Sequence, residues 1–197
     1  MHRVLILLTA LHLIAVASAA AGDLPAGFAR LSDIAPSIVQ DMRYAGPNNF
    51  TGAPVPGLPQ CWLRADAARA LAKAQAYAHA HGFELVVYDC YRPRRAVSAF
   101  VEWSQNADER TKRDYYPNVE KRALFAEGYI AEQSMHSTGL AVDLGVRGWD
   151  FGAPFDFFDK RSWTKAKMPR EAHEHRERLV ALIKGATGAQ SFDAEIE

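Results

Sequence analysis

The stretch that most limits the fold is Gly139–Val146, which reads GLAVDLGV. Its alternation and apolar character mark a β-strand placed for burial. An acid, Asp143, stands in the middle of it. A carboxylate buried without a partner costs several kcal/mol or takes up a proton. A metal ion removes that difficulty. His136, just upstream across Gly139, is a residue type that shares zinc with an aspartate. The arrangement suits a ligand on a loop, a glycine turn, then a ligand inside a strand. On spacing alone, a hydrogen-bonded Asp143 and a surface His136 account for the pair as well.

Other elements follow from pattern. RADAARALAKAQAYAHAHG has alanines and leucines at helical spacing, with Asp66 in its first turn and Gly82 to stop it. FELVVYD is a strand of β-branched and aromatic residues, and YRPRR turns the chain into a helix over AVSAFVEWSQ. A further helix is expected near Val119–Glu127. Pro169 opens a helix buried through Leu179, Val180, Leu182 and Ile183. The segment ahead of the first helix reads as irregular chain with one short strand near IVQDMRY, and AQSFDAEIE reads as the start of another strand. Helices and strands mix without a βαβ rhythm, so the expected class is α+β, one domain with a mixed or antiparallel sheet packed with helices.

With 197 residues the chain is long enough for one domain with a substantial core. Its 23 basic and 23 acidic residues cancel, which argues against nucleic acid or an anionic membrane as partner. The first residues differ from the rest. Met1-His2-Arg3, the run VLILLTALHLIAVA and the small residues SAAAGD form a secretory signal pattern, expected to occupy 1–21 and be removed, which leaves 22–197 as an exported, periplasmic domain with no membrane anchor. In an oxidising compartment the only two cysteines, Cys61 and Cys90, read either as a disulfide or as two buried thiols.

Several segments together resemble one family. SMHSTGLAVDL fits the Ser-x-His-x-x-Gly-x-Ala-x-Asp pattern of the zinc D-alanyl-D-alanine peptidases. VYDCYRPRRAVSAFVEW, YYPNVEK, DMRYAGPNNFTGAPV and FDFFDKRS resemble the D-Ala-D-Ala dipeptidase branch, in the expected order and over most of the chain. The resemblance implies a Hedgehog/DD-peptidase-like fold and zinc held by His136 and Asp143. It implies a small D-amino-acid dipeptide as substrate, cut into two D-alanines in cell-wall peptide turnover. It also gives Arg92, of the YRP motif, a part in binding substrate and stabilising the transition state, through paired donors to an oxyanion or carboxylate. From the residues alone, Arg92 reads as a salt bridge to Asp89. A D,D-carboxypeptidase or peptidoglycan endopeptidase of the same superfamily, and a non-catalytic binder of peptidoglycan peptides, are the alternatives.

The sequence departs from the family at its end. The family's last motif is Glu-x-x-His, whose Glu is the general base and whose His is the third zinc ligand. SFDAEIE places Glu195 as the base, and the histidine would fall one residue beyond Glu197. A fragment or frameshift, a degenerate enzyme, or a ligand from elsewhere would each account for this. His173 and His175 are the nearest candidates for a substitute, but they stand two apart on a helix and face different ways. The expectation for the chain as it stands is weak zinc binding, low activity and reduced stability.

Overall fold

The structure, a computed structural model, describes residues 25–57, 59–187 and 193–195. The expected signal segment, 1–21, lies outside the described residues. In chain order the elements are β1 (Phe28–Arg30), α1 (Leu31–Ile34), β2 (Val39–Gln40), β3 (Trp62–Arg64), α2 (Ala65–Ala80), β4 (Leu85–Asp89), α3 (Arg94–Gln105), α4 (Lys112–Tyr115), β5 (Ala141–Val146), α5 (Arg170–Thr187) and β6 (Asp193–Glu195). Short 3-10 turns lie between them, one of them at Met135–Thr138.

A four-stranded sheet runs β2-β4-β5-β6, parallel at its outer pairs and antiparallel between β4 and β5. Strands β1 and β3 make a separate antiparallel pair. This is the mixed sheet with helices expected of an α+β domain. All six residues of β5 are buried. Successive strand residues face opposite ways, so Val142, Leu144 and Val146 join Leu71, Ala74, Leu179 and Ile183 of α2 and α5 in one core. The other side holds an aromatic core built on Tyr44, Phe50, Phe100, Trp103, Tyr116 and Phe158. Asp143 belongs to this second side.

The pairing of β4 with β5 carries a bulge. Val87 lies opposite Leu144 but Asp89 lies opposite Asp143, so Tyr88 is the extra residue. Simple alternation would set Asp89 on the helix side with Leu85 and Val87. The bulge turns it onto the face of Asp143.

Two expectations change. Val119–Glu127 holds only a 3-10 turn at Lys121–Ala123. Lys121 is drawn inward: its ammonium donates to Asn106 Oδ1 at 2.6 Å and to the Asp108 carbonyl at 2.6 Å, and lies 4.1 Å from the Trp103 ring. Satisfying a buried ammonium overrides local helical preference. The stretch before α2, read as irregular with one strand, also holds β1 and α1. Gly139 does act as the turn ahead of β5, with φ +75°. A Cβ there would lie 2.3 Å from Phe28 Cε1. Gly139→Ala is therefore expected to cost about 1–3 kcal/mol, read as a lower urea midpoint with unchanged slope.

Candidate metal centre

The site is built on one short segment, Asp89–Arg92, that leaves the end of β4. Asp89 is fully buried, and its Oδ2 accepts from Arg92 Nε at 2.9 Å and Nη2 at 2.7 Å. The salt bridge that the residues alone suggested for Arg92 is thus formed. Arg92 Nη2 also lies 3.8 Å from Asp143 Oδ2, and the guanidinium sits over the rings of Tyr44 and Phe100 at 5.3 and 5.2 Å. Burial opposes the Arg92 charge, but Asp89, Tyr44 and Asp143 outweigh it and hold its pKa above the ordinary value.

His136 is 2% exposed, not a surface residue. It sits in the 3-10 turn that Ser134 caps, with Ser134 Oγ accepting from His136 N–H at 3.2 Å. Its Nδ1 lies 2.7 Å from the Cys90 carbonyl. A carbonyl only accepts, so Nδ1 carries the proton and donates it. Nε2 is left facing Asp143 Oδ1 at 3.1 Å. Two ligands on one tetrahedral zinc stand about 3.3 Å apart, given bonds near 2.0–2.1 Å. The pair therefore fits a shared cation.

Among the described residues, one group of three candidate ligands occurs: Asp89, His136 and Asp143, with ligand atoms within 4.8 Å of one another. Asp89 approaches the Nδ1 side of the ring, 3.5 Å away. It is therefore better placed to orient His136 than to share a metal bound at Nε2, and such outer partners set ring orientation and tautomer. Asp89 Oδ1 is buried and accepts no hydrogen bond from the described residues. Burial pushes the Asp89 carboxyl up, against the pull of Arg92 and His136.

Residues 25–195 match the peptidase M15 family, described as D-ala-D-ala dipeptidase. The chain belongs to that family. It is 38% identical over 178 residues to a D-alanyl-D-alanine dipeptidase of Enterococcus faecalis, covering 86% of this chain and 88% of the relative. A protein of the same name from Streptomyces coelicolor is 35% identical, over 85% of this chain and 88% of its own. One from Escherichia coli is 31% identical, over 79% and 75%.

Peptidases of this family are metal-dependent, and the two residues expected as metal ligands, His136 and Asp143, lie side by side. Glu195 is described in its backbone, abreast of Asp143 in the parallel pairing of β5 with β6; the role expected of its carboxylate lies outside the described atoms. His173 and His175 do not join the site. His173 Nε2 lies 3.3 Å from Glu177, and His175 stacks on Trp149 at 4.6 Å.

Sequence reasoning missed Asp89 as a member of the site, and it missed Tyr44 and Asp156. Tyr44 donates its hydroxyl to Asp156 Oδ2 at 2.9 Å. Burial first, then Asp156, raises the Tyr44 pKa well above its ordinary value, which keeps the hydroxyl a donor. Asp156 is 3% exposed and left-handed at φ 58°, a conformation tolerated by aspartate and concentrated at functional sites. The signal that was available is the FDFFDKRS segment, where an acid sits among aromatics. Tyr44, Arg92, Phe100, Asp143 and Asp156 all line one cavity of about 190 Å3.

Without metal, His136 acts as the countercharge to the facing carboxylates. Burial opposes its proton, but Asp143 outweighs burial and raises its pKa to about 9. A raised folded-state pKa contributes stability below the unfolded value near 6.5 that is lost as pH rises through about 9. The metal-free protein is expected to lose about 3 °C or more of melting temperature across that window. Zinc affinity should rise over the same range, because the metal competes with the proton. Parallel melts with chelator and with zinc check both signs.

Proposed function

We propose that the chain is a zinc-dependent D-alanyl-D-alanine dipeptidase acting outside the cytoplasm. The observation that carries this reading is the cavity lined by Asp143, one of the two residues assigned to the metal. At about 190 Å3 it is smaller than the roughly 300–1,000 Å3 of ordinary ligand pockets. Its lining includes both a guanidinium, Arg92, and a buried carboxyl group, Asp156. A free dipeptide carries one carboxylate and one ammonium, and matches a small site of that polarity.

In this reading His136 and Asp143 hold the metal, and the donor set of imidazole and carboxylate suits zinc. When bound, zinc lowers the pKa of a water towards about 7 and polarises the peptide carbonyl. Arg92, anchored by Asp89, offers its remaining donors to the developing oxyanion or to the substrate carboxylate. Glu195, abreast of Asp143 in the sheet, takes the attacking water's proton and passes it to the leaving amine. Asp156, held by Tyr44, receives the substrate ammonium. The described residues supply two of the three protein ligands usual in catalytic zinc sites.

Export is supported by the charged and apolar start of the sequence and by the Cys61–Cys90 disulfide, a bond characteristic of oxidising compartments. No helix among the described residues is long and apolar enough to cross a membrane. An exported dipeptidase would meet D-Ala-D-Ala released during wall turnover. Recovery of the mature chain from the cytoplasmic fraction would overturn this placement.

A second reading has one observation in its favour. A larger groove of about 890 Å3 adjoins the cavity, and the two share Gln133 and Ser134 in their lining. It would accommodate a longer peptidoglycan stem, as a carboxypeptidase or endopeptidase requires. D-alanine release with zinc supplied, from free D-Ala-D-Ala and from a pentapeptide stem, separates the readings. The dipeptidase reading expects release from the dipeptide alone. Binding of the dipeptide without release would favour a non-catalytic binder.

A further inference from the structure

The Cys61–Cys90 disulfide touches the site more closely than a distant staple would. Cys90 sits inside the segment Asp89–Arg92. Its side chain reaches Cys61, while its carbonyl accepts from His136 Nδ1 at 2.7 Å. The far end of the bond is itself fixed: Cys61 N–H donates to Gln40 Oε1 at 3.1 Å, and its carbonyl accepts from Leu31 N–H at 3.0 Å. Beside it, Tyr91 N–H donates to the Trp62 carbonyl at 2.9 Å. On the opposite side, Arg92 N–H donates to the His136 carbonyl at 3.1 Å and Ser137 Oγ donates to the Arg92 carbonyl at 2.8 Å.

Segment 89–92 is thus tied to the strand β3 region on one side and to the histidine turn on the other. It follows a bulge, and its last ladder partner is at Asp89. Backbone outside a regular ladder holds a functional group in place only if its surroundings fix it. Both cysteines are buried, at 1% and 0% exposure, so the cross-link is packed into that surrounding.

We infer that the Cys61–Cys90 disulfide is a positioning element of the metal site: it holds the Cys90 carbonyl against His136 and so keeps the ring orientation and tautomer that present Nε2 to the metal. The inference rests on the metal-site reading above. A cross-link closing a chain segment of this separation, 29 residues, also stabilises the fold by restricting the unfolded chain. The two roles have different readouts. A staple alone moves stability; a positioning element also moves metal affinity and the rate constant.

The test uses the full chain and the double variant Cys61→Ala/Cys90→Ala, which keeps the carbonyl and removes the bond. Leu179→Ala, a cavity in the helix-side core, serves as a destabilised control. Zinc affinity is read against a competing chelator, and kcat and KM on D-Ala-D-Ala. The cysteine-free chain is expected to lose about 10–100-fold in zinc affinity, the usual effect of losing an outer partner. Its kcat should fall with KM little changed, and Leu179→Ala should keep its zinc. A cysteine-free chain that melts lower but binds zinc as the parent does overturns the inference.

Should the double variant not fold, the folded zinc-loaded parent is reduced with a phosphine and zinc release to a chromophoric chelator is timed. Faster release is expected; an unchanged rate once two thiols titrate overturns the inference. Zinc bound without turnover in the oxidised parent would defeat the substrate reading and leave this one standing. An oxidised parent that binds no zinc defeats this one.

Discussion

Arg92→Ala is expected to lower stability by about 3–5 kcal/mol, the cost of leaving a buried charge without its partner. Asp89 is wholly buried and takes two hydrogen bonds from Arg92 on a single oxygen. Asp143 faces Asp89 across the sheet, so removing the guanidinium leaves two carboxylates opposed with His136 between them. One must then take up a proton, and the loss of stability should shrink as pH falls. Turnover should drop by about 10²–10³-fold as well, the effect of losing a donor to a developing oxyanion. Arg92→Lys separates the two: it restores the charge but not the paired donors, so it should recover more stability than rate. Urea melts at two pH values with steady-state kinetics read all of this. An Arg92→Ala chain as stable as the parent would mean that Asp89 is neutral in the native protein.

The second large effect is at Asp143. Asp143→Asn keeps the shape of the side chain and removes the charge that a metal needs. Zinc affinity is expected to fall by more than the roughly 10–100-fold that an outer partner is worth, and D-alanine release should fall with it. The metal-free protein should respond differently. Asp143 is the main cause of the raised His136 pKa, so the variant's metal-free melting temperature should become flatter between pH 6.5 and about 9. Chelator competition and pH-dependent melts are the measurements. Parent-like zinc affinity in Asp143→Asn would remove Asp143 from the ligand set.

The parts of the molecule legible in the sequence are those whose pattern is local. The buried stripe of α5, the alanine-rich α2 and the apolar β4 and β5 all carry their own signal, as does the glycine turn at Gly139. The closeness of His136 and Asp143 was foreshadowed because an acid in an apolar strand is conspicuous. Asp89 was not, because alternation assigns it to the helix side with Val87, and only the bulge at Tyr88 reverses that. A bulge is decided by pairing with a distant strand, which no window around Asp89 contains. Strands β1 and β3 are three residues each, and their existence depends on each other. Lys121 misled the reading near Val119 because the groups that hold it, Asn106 and Asp108, belong to another segment. Asp156 shows the same limit: a carboxylate among aromatics marks a site, but its partner Tyr44 is 112 positions away.

The clamp around segment 89–92 bears on how the molecule assembles. Its groups come from Leu31 and Gln40 near one end of the described chain, from Cys61 and Trp62, and from His136 and Ser137 well beyond α3. None of these contacts is local, and closing such distances is the slow part of folding. The histidine turn lies past residue 130, so a chain emerging from synthesis would have helix α2 long before it had a metal site. A partly folded chain would present scattered carboxylates and an unheld imidazole, with little to distinguish zinc from any other cation. Metal capture is therefore expected to be a late event that reports completion of the fold, and zinc uptake during refolding should lag behind the recovery of helical signal.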